Sequence, residues 1–278
     1  MTAKEKALRL LELHHGGSPL VLINAWDAAS ACIVEEAGFP AIATSSAAVA
    51  NALGYPDGQF IPWPEMISAI RRIADAVRVP VTADIEAGFS ADERHLEAAI
   101  EQVIEAGAVG ANLEDALPGH GHFGPLYDIP AQVQRIRAAR KAGDKRGIHF
   151  VINARTDAFW QKGVSPEEAL RTTLERGKAY LDAGADCIFV PGMRNPDVVR
   201  TVVDHWKAPV NILAGPGVPS IPDLAALGVK RVSYGSGPMR AAMGLLRRIA
   251  EEAKASGTYA SLTEGAVPYD QMNALFEK

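Results

Sequence analysis

The run Val81-Thr82-Ala83-Asp84-Ile85-Glu86-Ala87-Gly88-Phe89 starts as an apolar, β-branched strand and ends in two carboxylates before a glycine. Residues i and i+2 of a strand face the same side, so Asp84 and Glu86 are expected to project together from its carboxyl end. A second acidic pair, Glu114-Asp115, closes the next apolar run, Val109 to Leu113. Acids at the carboxyl ends of consecutive strands make an oxygen-rich site suited to Mg²⁺, with Mn²⁺ a possible substitute. The competing reading is capping, because an acid that follows a strand often caps the next helix. For Asp115 alone both readings stand. For Asp84, Glu86 and Glu114 together the metal is favoured.

Other strand ends add Asn24, Trp26 and Asp27, then Thr44, Ser45 and Ser46, then Asn112, then Asn153, Arg155 and Asp157, and finally Asn211, Ser233 and Ser236. A metal beside Arg155 fits a small anionic substrate, since guanidinium pairs with carboxylate in bidentate fashion. The structural alternative for Arg155 is a salt bridge to Glu114 or Asp84. The small turn Ser45-Ser46-Ala47-Ala48 offers backbone N–H groups that could cradle a carboxylate, or else marks tight packing under a loop. The loop Ala116 to Asp128 holds His120 and His122 among Gly119, Gly121 and Gly124. A mobile lid carrying a general acid or base is one reading, and two solvated histidines the other. His14, His15, His95 and His205 fall on helical patterns and are assigned to surface or packing. No nucleophile elbow, triad ordering or zinc spacing is present.

These residues need a scaffold that brings strand ends together. An amphipathic helix over 2–15 precedes the strand Pro19 to Trp26. Strands then alternate with helices: strand 41–46, an irregular stretch 47–63, helix 64–77, strand from Val81, and a helix opened by Ser90 or Asp92 and ended by Gly107. Strand 109–114, helix 129–142, strand 149–155 and a helix opened by Ser165-Pro166-Glu167-Glu168 follow. Strands 187–191, 209–213 and 231–234 are separated by helices 196–206 and 222–227. A long helix spans Pro238 to Ala255, and Tyr269 to Phe276 forms a tail helix. A weak repeat recurs at helix ends: Glu36-Ala37-Gly38, Glu105-Ala106-Gly107, Asp182-Ala183-Gly184 and Ala226-Leu227-Gly228. Eight strand–helix units in about 250 residues indicate an α/β chain folded as one (β/α)8 TIM-type barrel over 1–278, with a helical C-terminal extension from about 238. An open sheet remains the alternative, but no Gly-x-Gly-x-x-Gly follows the first strand.

Composition is that of an ordinary globular chain, 48% hydrophobic and 22% charged. The net charge of −5 gives no basis for nucleic-acid binding. No apolar run is long enough to cross a bilayer, and Met1 to His15 lacks a signal-peptide segment, so a cytoplasmic location is expected. Cys32 and Cys187 sit in apolar contexts as small core residues.

The motifs resemble the isocitrate lyase / phosphoenolpyruvate mutase superfamily from about Leu20 to Arg248. The marks are Thr-Ser-Ser-Ala-Ala after the second strand, Leu-Gly-Tyr-Pro-Asp57, Ala-Asp84-Ile-Glu86-Ala-Gly-Phe, Asn-Leu-Glu114-Asp115 and Asn-Ala-Arg155-Thr-Asp. The resemblance implies a modified barrel with Mg²⁺ carried by Asp84 and held mainly through water by Glu86, Glu114 and Asp57, with Asp57 among the catalytic positions. It implies a 2-oxo acid chelating the metal, its carboxylate held by the Ser45, Ser46 and Ala47 turn and by Arg155, and an enolate stabilised by the metal and Arg155; Asn211, read from its strand end, is added to the substrate-binding set. It also implies a homo-oligomer, dimer or tetramer, in which the helix Pro238 to Ala255 is exchanged between subunits. Isocitrate and methylisocitrate lyases carry a Lys-Lys/Arg-Cys-Gly-His segment on the loop after the fourth strand. This chain has Pro118-Gly119-His120-Gly121-His122 instead, and no lysine or asparagine between Asp115 and Asp128 as the phosphonate-handling members have. The expected activity is therefore C–C bond cleavage in a small 2-oxo or 2-hydroxy carboxylate, with His120 or His122 as proton donor. C–P chemistry on phosphonopyruvate and non-catalytic binding of a 2-oxo acid are the rival readings.

Overall fold

The strand ends are brought together by a closed parallel barrel. In the computed structural model, which describes residues 1–90, 92–119 and 123–277, nine short strands are hydrogen-bonded in the order β1-β9-β8-β7-β6-β5-β4-β3-β2. β1 (Leu20–Leu22) and β2 (Asn24–Ala25) are one stave interrupted at Ile23. Its first half pairs with β9 (Arg231–Ser233) and its second with β3 (Ile42–Thr44), so the stave closes the ring. The remaining staves are β4 (Val81–Asp84), β5 (Gly110–Glu114), β6 (Val151–Arg155), β7 (Cys187–Phe189) and β8 (Val210–Leu213). The eight-stave (β/α) barrel expected from the sequence is present.

The outer helices start where the sequence supplies a cap. Asp128, Ser165, Asn195 and Ser220 each accept a backbone N–H, with proline in the first two helical positions. These residues open α6 (Ile129–Lys145), α7 (Pro166–Asp182), α8 (Pro196–Trp206) and α9 (Ile221–Ala226). The repeated glycines end their helices in the left-handed region, at φ 86° to 105° for Gly38, Gly107, Gly184 and Gly228. Earlier helices are α1 (Ala3–Leu13), α2 (Ala28–Glu36), α3 (Ser46–Ala52), α4 (Trp63–Ala76) and α5 (Glu93–Glu105). Asp92, not Ser90, caps α5.

α3 corrects the expectation of an irregular stretch from residue 47. Ser45 accepts the Ala48 N–H, and the alanine-rich run behind it favours helix. α10 (Gly237–Ser256) is the long C-terminal helix, followed by α11 (Ala260–Thr263) and α12 (Tyr269–Ala274).

α1 seals the amino end of the barrel. Gly110 faces inward, and a Cβ there would lie 2.7 Å from the Val151 carbonyl oxygen and 3.1 Å from Leu10. The missing side chain is what lets Leu10 enter. Above this plug the barrel interior is polar. Asp84, Asn112 and Asn153 are register partners on β4, β5 and β6, and Asn211 pairs with Arg231 across β8 and β9. The apolar core lies between the staves and the helices, with Ile42, Val81, Leu96, Ile100, Ile136 and Val199 buried in it. Among the described residues no helix is long and apolar enough to cross a membrane.

Candidate active site

Asp84 ends β4 and is 8% exposed. Its Oδ2 accepts two hydrogen bonds from Ser46, from the backbone N–H at 3.0 Å and the hydroxyl at 2.8 Å. Its own N–H donates to Thr44 Oγ1 at 2.8 Å. Oδ1 is buried and has no hydrogen-bond partner among the described residues. A carboxylate oxygen left like this needs a cation or a ligand donor.

Glu86 does not continue the strand. Its φ is 52°, in the left-handed region that non-glycine residues seldom adopt. The turn is tied by the Glu114 N–H, which donates to the Glu86 carbonyl at 2.9 Å. The expected simple i, i+2 projection from a strand is thus replaced by a sharp turn that still keeps Glu86 within electrostatic reach of Asp84. Burial, followed by the charges of Asp57 and Asp84, raises the Glu86 pKa to about 8. Burial likewise pushes Glu114 well above the carboxylate range, while Arg155 opposes the shift.

Arg155 ends β6 and its guanidinium is tightly held. Nε and Nη2 donate to Asp157 Oδ1 and Oδ2 at 2.6 and 2.8 Å, and Nη1 lies 2.7 Å from Glu114 Oε2. Burial alone would lower its pKa, but the Asp157 and Glu114 carboxylates outweigh that and hold it charged. The Trp160 and Phe189 rings flank it, with centroids 5.0 and 5.6 Å from Cζ. Asp157, at the start of the 3-10 turn Ala158–Trp160, is a partner the sequence reading did not assign; that reading paired Arg155 with Glu114 or Asp84.

Asp115 caps no helix. Asp128 caps α6, and Asp115 is fully buried, taking the Tyr180 hydroxyl at 2.7 Å, Arg176 Nη1 at 3.1 Å and the Asp157 N–H at 3.0 Å.

A cavity of about 230 Å³ opens at the carboxyl ends of the strands. Ser45, Ser46, Ala47, Asp57, Asp84 and Arg155 line it, so the structure brings these expected residues together. Glu86, Glu114 and Asn211 do not line it. Asn211 is fully buried and accepts the Ser233 hydroxyl at 3.2 Å. His120 and His122 lie outside the described residues. The turn at Ser45 offers fewer donors than its sequence suggests. The Ser46 N–H goes to Asp84 and the Ala48 N–H to Ser45 Oγ, leaving the Ala47 N–H, which has no intrahelical acceptor at its position in α3. Trp160, Phe189, Leu213 and Arg240 also line the cavity, and the sequence reading did not select them. Arg240 lies in the first turn of α10, a helix the sequence did show, so its placement at a strand-end cavity was the available signal.

The donor set fits a hard divalent cation. Four acids, Asp57, Asp84, Glu86 and Glu114, gather near Arg155, and one Asp84 oxygen has no hydrogen-bond partner among the described residues. Among the described residues no three His, Cys, Asp or Glu side chains converge as a direct ligand group. A hydrated ion with few direct protein ligands is the arrangement this leaves.

Residues 10–254 match the family described as phosphoenolpyruvate phosphomutase. The chain belongs to this family, within the isocitrate lyase / phosphoenolpyruvate mutase superfamily. It is 35% identical over 263 residues to an uncharacterized protein of Mycobacterium tuberculosis, covering 95% of this chain and 94% of that one. It is 31% identical over 198 residues to 2-methylisocitrate lyase of Salmonella typhimurium, covering 69% of this chain and 64% of the lyase. Among solved structures, phosphonopyruvate hydrolase in complex with oxalate and Mg²⁺ superposes with a TM-score of 0.83 at 28% identity, covering 97% of this chain and 94% of the hydrolase. Membership makes the chain an enzyme of the lyase and mutase kind.

Proposed function

We propose that this enzyme is a Mg²⁺-dependent lyase that cleaves a C–C bond of a small 2-oxo or 2-hydroxy carboxylate, oxaloacetate-like or methylisocitrate-like, through an enolate. The observation that carries the reading is Asp84 Oδ1, a buried carboxylate oxygen without a hydrogen-bond partner among the described residues, in the wall of a cavity that Arg155 also lines. Asp84 would hold Mg²⁺, or Mn²⁺, directly, with Glu86, Glu114 and Asp57 acting mainly through water. When bound, the ion supplies Lewis-acid stabilisation of charge developing on the substrate oxygens. Arg155, fixed by Asp157 and Glu114, offers a positive charge that needs no reorganisation as the enolate forms. The Ala47 N–H and the Ser45 and Ser46 side of the cavity bind the carboxylate. Asn211 acts behind the wall through Ser233. His120 or His122 delivers the proton to the enolate carbon from the loop after β5.

The location is inferred to be cytoplasmic, and the working unit a homo-oligomer, dimer or tetramer. Met243, Leu245 and Leu246 of α10 are exposed apolar side chains that an exchanged helix would bury against a second copy. Neither a nucleic acid nor a membrane is proposed as partner.

A second reading, C–P chemistry as a phosphonomutase or phosphonopyruvate hydrolase, is supported by the family description and by the hydrolase with oxalate and Mg²⁺. The loop Ala116 to Asp128 has neither lysine nor asparagine, which disfavours it.

The test is a Mg²⁺-dependent screen for pyruvate or glyoxylate release from oxaloacetate, 2-methylisocitrate, isocitrate and related dicarboxylates, with phosphonopyruvate alongside, comparing wild type with Asp84→Ala. Product from a C–C substrate that disappears in the variant is the expected result. Phosphate from phosphonopyruvate moves the assignment to C–P chemistry. Mg²⁺-dependent oxalate binding without turnover of any candidate makes the chain a 2-oxo acid binding protein.

A further inference from the structure

The barrel interior holds an arginine that, among the described residues, has no ion-pair partner within contact distance, although the Asp84 charge is felt there. Arg231 opens β9 and is fully buried. Among the described residues it makes no ion pair, and its partners are neutral. Nη1 lies 3.3 Å from His14 Nε2, and Nη2 donates to Asn112 Oδ1 at 3.1 Å. His14 Nδ1 is 2.8 Å from the Leu10 carbonyl, so Nδ1 carries the proton and Nε2 presents a lone pair to Arg231. Asn153 Nδ2 donates to the same Asn112 oxygen at 2.7 Å.

This arrangement fixes which way the Asn112 amide points. A guanidinium only donates, so the Asn112 atom facing Arg231 is the carbonyl oxygen. The amide NH₂ is thereby turned away from both Arg231 and Asn153, and it has no acceptor among the described residues. Asn112 is 5% exposed, lines the cavity, and is the register partner of Asp84. An amide donor without a protein acceptor among the described residues, on a residue that lines a cavity, is suited to a ligand oxygen.

We infer that Asn112 is a ligand-contacting hydrogen-bond donor of this cavity and that Arg231 is the positioning residue that holds it in that role. The group it takes is an anionic oxygen of the small acid, so the inference rests on the function proposed above. Arg231 sets the amide orientation, and its charge, in a dry interior, polarises the amide toward stronger donation.

The experiment titrates oxalate calorimetrically into the full chain at saturating Mg²⁺, for wild type, Asn112→Leu, Arg231→Met and Arg231→Lys. Ligand-free melting of each variant reports the fold. Asn112→Leu and Arg231→Met are expected to weaken oxalate binding roughly ten- to hundredfold, the range for a hydrogen bond to a charged group. Arg231→Lys keeps a donor and recovers part of the affinity. Asn112→Leu strands a buried charge; where it does not fold, Arg231→Met, which removes that charge, carries the test. Oxalate affinity unchanged in folded Arg231→Met, with only the melting temperature lowered, overturns the inference and leaves the cavity assignment intact. No Mg²⁺-dependent oxalate binding by wild type overturns the cavity assignment, and this inference with it.

Discussion

Ser46 donates both its backbone N–H and its hydroxyl to one oxygen of Asp84, at 3.0 and 2.8 Å, and the other oxygen has no hydrogen-bond partner among the described residues. Two donors on Oδ2 pin the carboxylate rotamer, so Oδ1 is held in the direction where a cation would sit. Ser46→Ala removes the hydroxyl but keeps the amide. It is expected to weaken Mg²⁺-supported oxalate binding about tenfold, the lower end for a charge-assisted hydrogen bond. Asp84→Asn should eliminate the response to Mg²⁺ while the fold is retained. Calorimetric titrations of both variants check this, and Mg²⁺ dependence that survives in Asp84→Asn would overturn the assignment of Asp84.

Arg155 is joined to Asp157 through two N–H···O bonds and to Glu114 through a third nitrogen. Lysine has one nitrogen and cannot reproduce that fork. Arg155→Lys should therefore lower kcat/KM by roughly a hundredfold or more, since both the placement of the cation and the pairing of two buried acids are lost. Steady-state kinetics on the substrate found by the screen measures this. A variant within twofold of wild type would show that the arginine is a strut for Asp157 and not part of the chemistry.

Asp115 offers a stability test away from the cavity. Tyr180→Phe deletes the hydrogen bond donated to its buried carboxylate and the one accepted from Arg176, and should cost about 2 kcal/mol, lowering Tm by roughly 4–8 °C. Asp115→Ala also strips Arg176 of its acid and should cost more, on the order of 3–5 kcal/mol. Urea denaturation separates the two. Because Asp115 does not line the cavity, folded Tyr180→Phe should keep its kcat.

These two acids show what the sequence carries and where it stops. The barrel was legible because its signals are local: a cap, a proline and a first turn at one end of a helix, an Ala-Gly pair at the other. Asp84, Ser46 and Arg155 were legible because strand ends converge in a closed barrel. The role of Asp115 was not, since its partners Arg176 and Tyr180 lie 61 and 65 residues away and nothing local marks them. The left-handed turn at Glu86 depends on the Glu114 N–H of the next strand, again a tertiary contact. α3 was missed although its signal was present, a serine cap before a run of alanines, because the glycines and prolines further along dominated that stretch. Asn112 and Arg231 were invisible as a pair for the same reason as Asp115: 119 residues separate them.

His14 connects the plugging helix to this interior, and its environment sets an acid sensitivity. Burial, and then the Arg231 charge, lower its pKa to about 3, with the hydrogen bond to the Leu10 carbonyl and then the Asp186 charge pulling the other way. In the unfolded chain the value is near 6.5. The folded state therefore binds fewer protons than the unfolded state between pH 6.5 and about 3. Stability contributed by neutral His14 is complete above pH 6.5 and is lost progressively as pH falls through that window, by up to about 1.4 kcal/mol per pH unit. His14→Gln, which keeps an acceptor for Arg231 and cannot be protonated, should show a shallower decline. The measurement is the unfolding free energy from urea titrations at several pH values between 4 and 8, taken as the difference between wild type and variant so that other titrating groups cancel. Parallel curves for the two proteins would mean that His14 accepts a proton in the folded state and that the plug is looser than the hydrogen bonds to Leu10 and Arg231 require.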